Sequence, residues 1–133
     1  DELPGDPCYC GKSGCIETWL SGYSFTRDFV RHGGEELKPA EIMKLKRAGD
    51  QRAIENYERW IDRVGRGLSV VVNTLDPDIF VMGGGMSNIE ELYQDLPGKI
   101  ANYTFSPVFA TPIVKSMHGD SSGVRGAAWL WRS

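Results

Sequence analysis

Three cysteines crowd one glycine-rich stretch, Cys8-x-Cys10-Gly-x-x-Gly-Cys15. Thiolates this close can fold around one soft cation, because Gly11 and Gly14 permit turns that side chains would block, and zinc suits the donor set. Three ligands are one short of a tetrahedral site, so a fourth must be His32, His118 or a group outside the chain. Three reduced thiols without metal, or a redox pair, are the alternatives on spacing alone. Glu17, two residues past Cys15, would have its backbone fixed by such a loop and its carboxylate free to accept hydrogen bonds from hydroxyls. The plainer reading is a solvated glutamate favoured by the dipole of a helix first turn.

Gly83-Gly84-Gly85-Met86-Ser87 lies between an apolar run and a helix start. Bare backbone there lets a ligand approach and the helix N-terminus favours anionic groups, which suits a nucleotide as well as it suits simple close packing. The spacing is not that of the dinucleotide fingerprint. Gly11-Lys12-Ser13 is no P-loop, since the position five before Gly11 is Asp6. His118-Gly-Asp120-Ser-Ser-Gly123-Val-Arg-Gly126 is either a ligand-lining turn or, the better local reading, helix capping. Asn102-Tyr-Thr104 fits a glycosylation sequon, discounted because the clustered thiols argue against secretion.

The elements that must position these groups follow from periodicity and punctuation. Residues 1–14 read as an irregular loop. Ile16 to His32 supports one or two helical segments broken at Gly22 and ended by Gly33-Gly34. A short helix from Pro39 to about Ala48 is closed by Gly49. Asp50 then caps the strongest helix, where Ile54, Tyr57, Ile61, Val64, Leu68, Val71 and Leu75 recur at spacings of three and four, the stripe of a core or dimer face. Asp76-Pro77-Asp78 breaks it, and Ile79 to Met82 is all apolar, as in a strand buried on both faces. Ser87 with Glu90 makes a capping box opening a helix to about Ala101. Pro107 and Pro112 bracket a loop, Ile113-Val114 is a short strand, and Ser121 or Ser122 opens a last helix through Trp131.

With 133 residues, 41% hydrophobic and 25% charged, the chain is one domain's length and can bury a core, which excludes disorder and collagen. Fifteen Lys and Arg against 18 Asp and Glu give a net charge of −3, and no basic stripe is present to neutralise a phosphate backbone, so nucleic acid is not an expected partner. No apolar run reaches the roughly 20 residues of a membrane span, and the acidic start lacks a signal-peptide layout. A soluble, cytoplasmic protein is the expectation.

Three segments in order, Cys8 to Glu17, Leu75 to Asn88 and His118 to Ala128, resemble the C-terminal part of a ROK-family sugar kinase, with bacterial fructokinases nearest and N-acetylglucosamine kinases next. The resemblance covers nearly the whole chain. It implies an α/β, ribonuclease-H-like domain of the actin-type ATPases, a C-terminal lobe with a mixed sheet flanked by helices, and a single domain over 1–133 with its zinc loop at 8–15. It implies zinc on Cys8, Cys10, Cys15 and a histidine upstream of this chain. Glu17 would contact sugar hydroxyls, and Gly83, Gly84 and Gly85, with Ser87 and Asn88 less securely, would form the adenosine site.

The implied activity is ATP-dependent phosphorylation of a hexose, fructose first, with Mg²⁺, ATP and the sugar as partners and a homodimer as the assembly. The phosphate motif, the catalytic Asp and the Glu-x-Gly-His sugar motif of the family are absent from these residues, so no catalytic residue is assigned and the isolated chain is expected to be inactive. N-acetylglucosamine kinase, glucokinase and the effector domain of a sugar-responsive repressor are the alternatives within the family. A zinc-stabilised module dimerising through the Ile54 to Leu75 helix is the alternative outside it.

Overall fold

The computed structural model describes residues 3–106 and 108–131; Pro107, expected to bracket a loop, lies outside the described residues. Helix α1 (Glu17–Leu20) and helix α2 (Gly22–Arg31) are separated by Ser21, whose side chain accepts a hydrogen bond from Ser24 N and caps α2. Helix α3 spans Pro39–Arg47, with Pro39 at its first turn. Helix α4 (Gln51–Leu75) runs for 25 residues and starts where Asp50 accepts from Ala53 N. Periodicity and capping assign these places, except that the break falls at Ser21 and not at Gly22, which opens α2.

Helix α4 is the spine of the core. Tyr57, Ile61 and Val64 are buried as the stripe requires, against Phe25 and Phe29 of α2, Ile42 and Met43 of α3, and Leu92, Leu96 and Ile100 of α5 (Glu90–Ala101). That part of the stripe is therefore core and not a free dimer face. Trp60, outside the stripe, is buried too: its ring meets Phe25 edge-on at 5.5 Å and its Nε1 donates to Leu20 O at 3.0 Å. Burial of these aromatic and aliphatic side chains together stabilises the helical half. Leu75, at the far end of the stripe, is 72% exposed because α4 outruns the helices that cover it.

Strand β1 (Phe80–Met82) and strand β2 (Ile113–Lys115) pair in parallel, with Phe80 opposite Ile113 and Met82 opposite Lys115, and α5 makes the crossover between them. Among the described residues the sheet is this parallel pair, not the mixed sheet expected. Nor is β1 buried on both faces. Val81 is 60% exposed, because the sheet's outer side has no covering layer among the described residues.

The capping box also fails. Ser87 lies in a 3₁₀ turn, Gly85–Asn88, where its hydroxyl donates to Gly84 O at 2.7 Å, and α5 starts three residues later behind Ile89 without a side-chain cap. The tighter turn claims the hydroxyl that the helix would have used. The last helix, α6 (Ser122–Trp129), ends before Trp131. No helix among the described residues is long and apolar enough to cross a membrane.

Candidate functional site

The cysteine loop is held by its own backbone. Cys8 N donates to Lys12 O at 2.8 Å, Gly11 N to Cys8 O at 3.0 Å and Gly14 N to Asp6 O at 2.9 Å, with Gly11 and Gly14 at positive φ. These turns bring the three sulfurs within 4.8 Å of one another, Cys10 and Cys15 at 3.4 Å. All three are free thiols, and 3.4 Å is far beyond the ~2.05 Å of a disulfide. Cys10 is held below the usual thiol range, first by a hydrogen bond with the Lys12 backbone and then by its Cys15 and Cys8 neighbours. Cys15 is pushed up to about 11, mainly by its hydrogen bonds to Cys10 and Cys8. One thiolate is thus supported by its neighbours while further ones repel it, the arrangement a divalent cation relieves.

The donor set fits zinc: three convergent sulfurs on a turn-rich loop are three-quarters of a tetrahedral thiolate site. Neither histidine joins the cluster. His32, at the end of α2, has Nδ1 2.7 Å from Asp28 O, and His118 lines a separate small cavity of about 210 Å³ with Arg125 and Trp129. Ser121 precedes α6 as its N-cap residue.

Glu17 begins α1, directly behind Cys15, and is exposed. It lines a cleft of about 370 Å³ together with Gly83, Gly84, Gly85 and Ser87, and with Trp60 and Leu92. The two stretches singled out independently in the sequence, some 65 residues apart, thus face one cavity. Asn88 shares the 3₁₀ turn but is not among the residues lining the cleft. Ser87 is buried, with its hydroxyl engaged to Gly84 O and its own carbonyl accepting from Tyr93 Oη at 2.7 Å, so it shapes the turn.

Close packing does not explain the three glycines. A Cβ at Gly83, Gly84 or Gly85 would meet no atom of the described residues within 4 Å. Gly84, at φ 74 and ψ 178, occupies a region essentially reserved for glycine. What remains is backbone left open to something that arrives. Sequence reasoning missed Gly22, which also lines the cleft; a Cβ there would sit 3.3 Å from Met86 Sδ and 3.4 Å from Pro39 Cγ. Its only sequence signal was that of a helix break.

The helical core with its parallel strand pair is a fold that solved structures share. The chain resembles a ROK hexokinase from Thermus thermophilus with a TM-score of 0.77 and 29% identity, over 94% of this chain and 42% of that one. It resembles a ROK family glucokinase from Streptomyces griseus, in complex with glucose and AMPPNP, with a TM-score of 0.83 over 96% and 48% of the two chains; at 23% identity this shows the fold alone. Residues 2–133 match the ROK family, and the chain belongs to it. An N-acetyl-D-glucosamine kinase of Photobacterium profundum is 42% identical over 98% of this chain, which spans 43% of that protein. The lean toward fructokinase is not matched by this relative, whose name is that of the second kinase type the resemblance implied.

Proposed function

We propose that this chain supplies the zinc loop, a sugar-contacting glutamate and the adenosine wall of an ATP-dependent hexose kinase whose substrate is N-acetylglucosamine. The observation that carries the reading is the shared cleft of Glu17 and the Gly83 to Gly85 turn. Glu17, an acceptor at the cleft rim, orients sugar hydroxyls. The open glycine turn admits the adenosine moiety, and Cys8, Cys10 and Cys15 hold the zinc that fixes the loop behind Glu17. Zinc here supplies structure, with Mg²⁺ and the catalytic Asp belonging to the phosphate-bearing motifs that these residues lack. The substrate assignment is favoured over fructose by the relative at 42% identity. Reduced thiols suit the cytoplasm.

The test is an ADP-release assay on the whole protein carrying this chain, with N-acetylglucosamine, glucose and fructose offered in parallel. N-acetylglucosamine should give the highest kcat/KM. Glu17→Gln should lower it about 10- to 100-fold, the loss of a hydrogen bond made to a charged acceptor. A preference for fructose returns the reading to fructokinase. Sugar-independent ATP turnover, or none, removes the kinase reading.

A further inference from the structure

The cysteine loop is tied to α2 and to its own far end by one residue that no sequence motif marks. Asp6 carries a carboxylate only 13% exposed. Arg31 reaches it with two nitrogens, Nη2 to Oδ1 at 2.5 Å and Nη1 to Oδ2 at 2.8 Å, and Arg27 Nη2 donates to Oδ2 at 2.5 Å. Both arginines stand on α2, one turn apart, 21 and 25 residues further along the chain. The Asp6 carbonyl meanwhile accepts from Gly14 N at 2.9 Å, so the residue before the loop holds the residue just before its last cysteine.

The same guanidinium continues the circuit. Arg27 Nη2 also donates to Thr18 O at 2.8 Å, and Thr18, buried in α1 beside Glu17, returns two bonds to Cys15 O, from its hydroxyl at 2.7 Å and its backbone N at 2.8 Å. Asp6, Arg27, Thr18, Cys15 and Gly14 thus close a ring of hydrogen bonds around the loop base. None of these bonds uses a sulfur, so the ring stands whether or not an ion is bound. Charge-assisted bonds to a half-buried carboxylate are the strong kind, and a bidentate arginine fixes direction as well as distance.

We propose that Asp6 is the positioning residue of the metal loop: held by Arg27 and Arg31, it keeps Cys8, Cys10 and Cys15 convergent for the ion, and through Arg27 and Thr18 it sets the backbone from which Glu17 projects. Its reach to Glu17 rests on the sugar-kinase reading; its hold on the sulfurs does not.

The experiment measures zinc affinity of the whole protein carrying this chain, by competition with a chromophoric chelator, for the wild type, Asp6→Asn, Arg27→Lys and Glu91→Gln. Asp6→Asn should bind zinc about 10- to 100-fold more weakly, the usual consequence of removing an outer-shell support. Glu91→Gln breaks a surface pair of similar geometry with Arg47, away from the loop, and should leave zinc affinity unchanged while matching any general loss of thermal stability. Arg27→Lys leaves Asp6 paired with Arg31 but shortens the reach to Thr18 O. It should hold zinc within about 3-fold and raise the sugar KM with little change in kcat or nucleotide KM. Wild-type zinc binding with an unmoved Asp6→Asn overturns the proposal alone, as does a parallel loss in Glu91→Gln. A wild type that takes up no zinc overturns it together with the metal reading. An unmoved sugar KM in Arg27→Lys removes the link to Glu17 and leaves the loop clamp standing.

Discussion

The cysteine loop and the Gly83 to Gly85 turn use the same residue type for opposite ends. In the first, Gly11 and Gly14 take positive φ so that a short chain can turn back on itself, and backbone hydrogen bonds, with Asp6 and its two arginines, tie the result to α2. In the second, Gly84 takes the special conformation while its flanking glycines leave space: Ser87 closes the turn, its N and hydroxyl both reaching Gly84 O, and a Cβ at any of the three glycines would meet no described atom within 4 Å. One glycine-rich segment is tied down by hydrogen bonds so that three sulfurs converge, the other is bare beside a cavity. A third environment, Gly65 in α4, shows glycine used for packing proper, with Lys99 of α5 against it.

The widest separation between the two loops should appear on removing a sulfur. Cys15→Ser is expected to reduce bound zinc from one per chain to none after dialysis, measured by metal analysis, with the glycine turn unaffected. Zinc retained in that variant would break the comparison, since the loop would no longer be the ion's site.

Substitution of the glycines ranks next. Gly65→Ala would drive a Cβ to 2.7 Å from Lys99 Cβ and 2.9 Å from its backbone carbon, and chemical denaturation should register a loss of about 1–3 kcal/mol. Gly84→Ala should cost about 1–3 kcal/mol for a different reason, the backbone strain of its conformation. Gly83→Ala and Gly85→Ala should stay within about 0.5 kcal/mol of the parent in the same melt. Their effect is expected on the nucleotide, about 10-fold weaker binding by titration calorimetry, or about 1.4 kcal/mol. A stability loss at Gly83 without a binding loss would mean that the turn serves packing after all.

The smallest effect concerns charge. Glu91 is held down to about 2 from an ordinary 4.5, chiefly by its hydrogen bonds with Arg47, which joins α3 to α5. A carboxyl whose folded value is depressed stabilises the fold above its unfolded value and loses that contribution as pH falls through the folded one. The pair's share should therefore be present above about pH 4.5 and fade toward pH 2. With Arg47 half exposed, it should amount to less than about 1 kcal/mol. Thermal melts of Glu91→Gln should show a shallower acid dependence than the parent; identical profiles would remove the pair as a contributor. Asp6, held below its ordinary value chiefly by its hydrogen bond with Arg31, should add acid sensitivity of the same sign at the cysteine loop.

Some of this was written in local sequence. The three-and-four spacing from Tyr57 to Val64, Asp50 at the cap and Pro39 at a first turn act within a few residues of themselves, so α3 and α4 stand where they were expected. The cysteine cluster was legible for the same reason, since its ligands lie within one loop. Ser87 misled because two local partners competed for one hydroxyl, the α5 N-terminus and Gly84 O, and only the turn geometry settles which wins. The apolar run of β1 promised burial, but burial depends on what lies over the sheet, and Val81 has no cover among the described residues.

What sequence alone determined, then, lies within a helical turn or one short loop: the faces of α3 and α4, the Asp50 cap and a set of sulfurs. The tertiary structure alone decided which distant residues meet. Glu17 and Gly83 to Gly85 line one cavity together with Trp60, Val64 and Leu68 of α4, and Asp6 meets Arg27 and Arg31 because the cysteine loop folds onto α2. Such meetings depend on the packing of whole elements, and local hydrogen-bonding and hydrophobic preferences carry no address for a partner dozens of residues away.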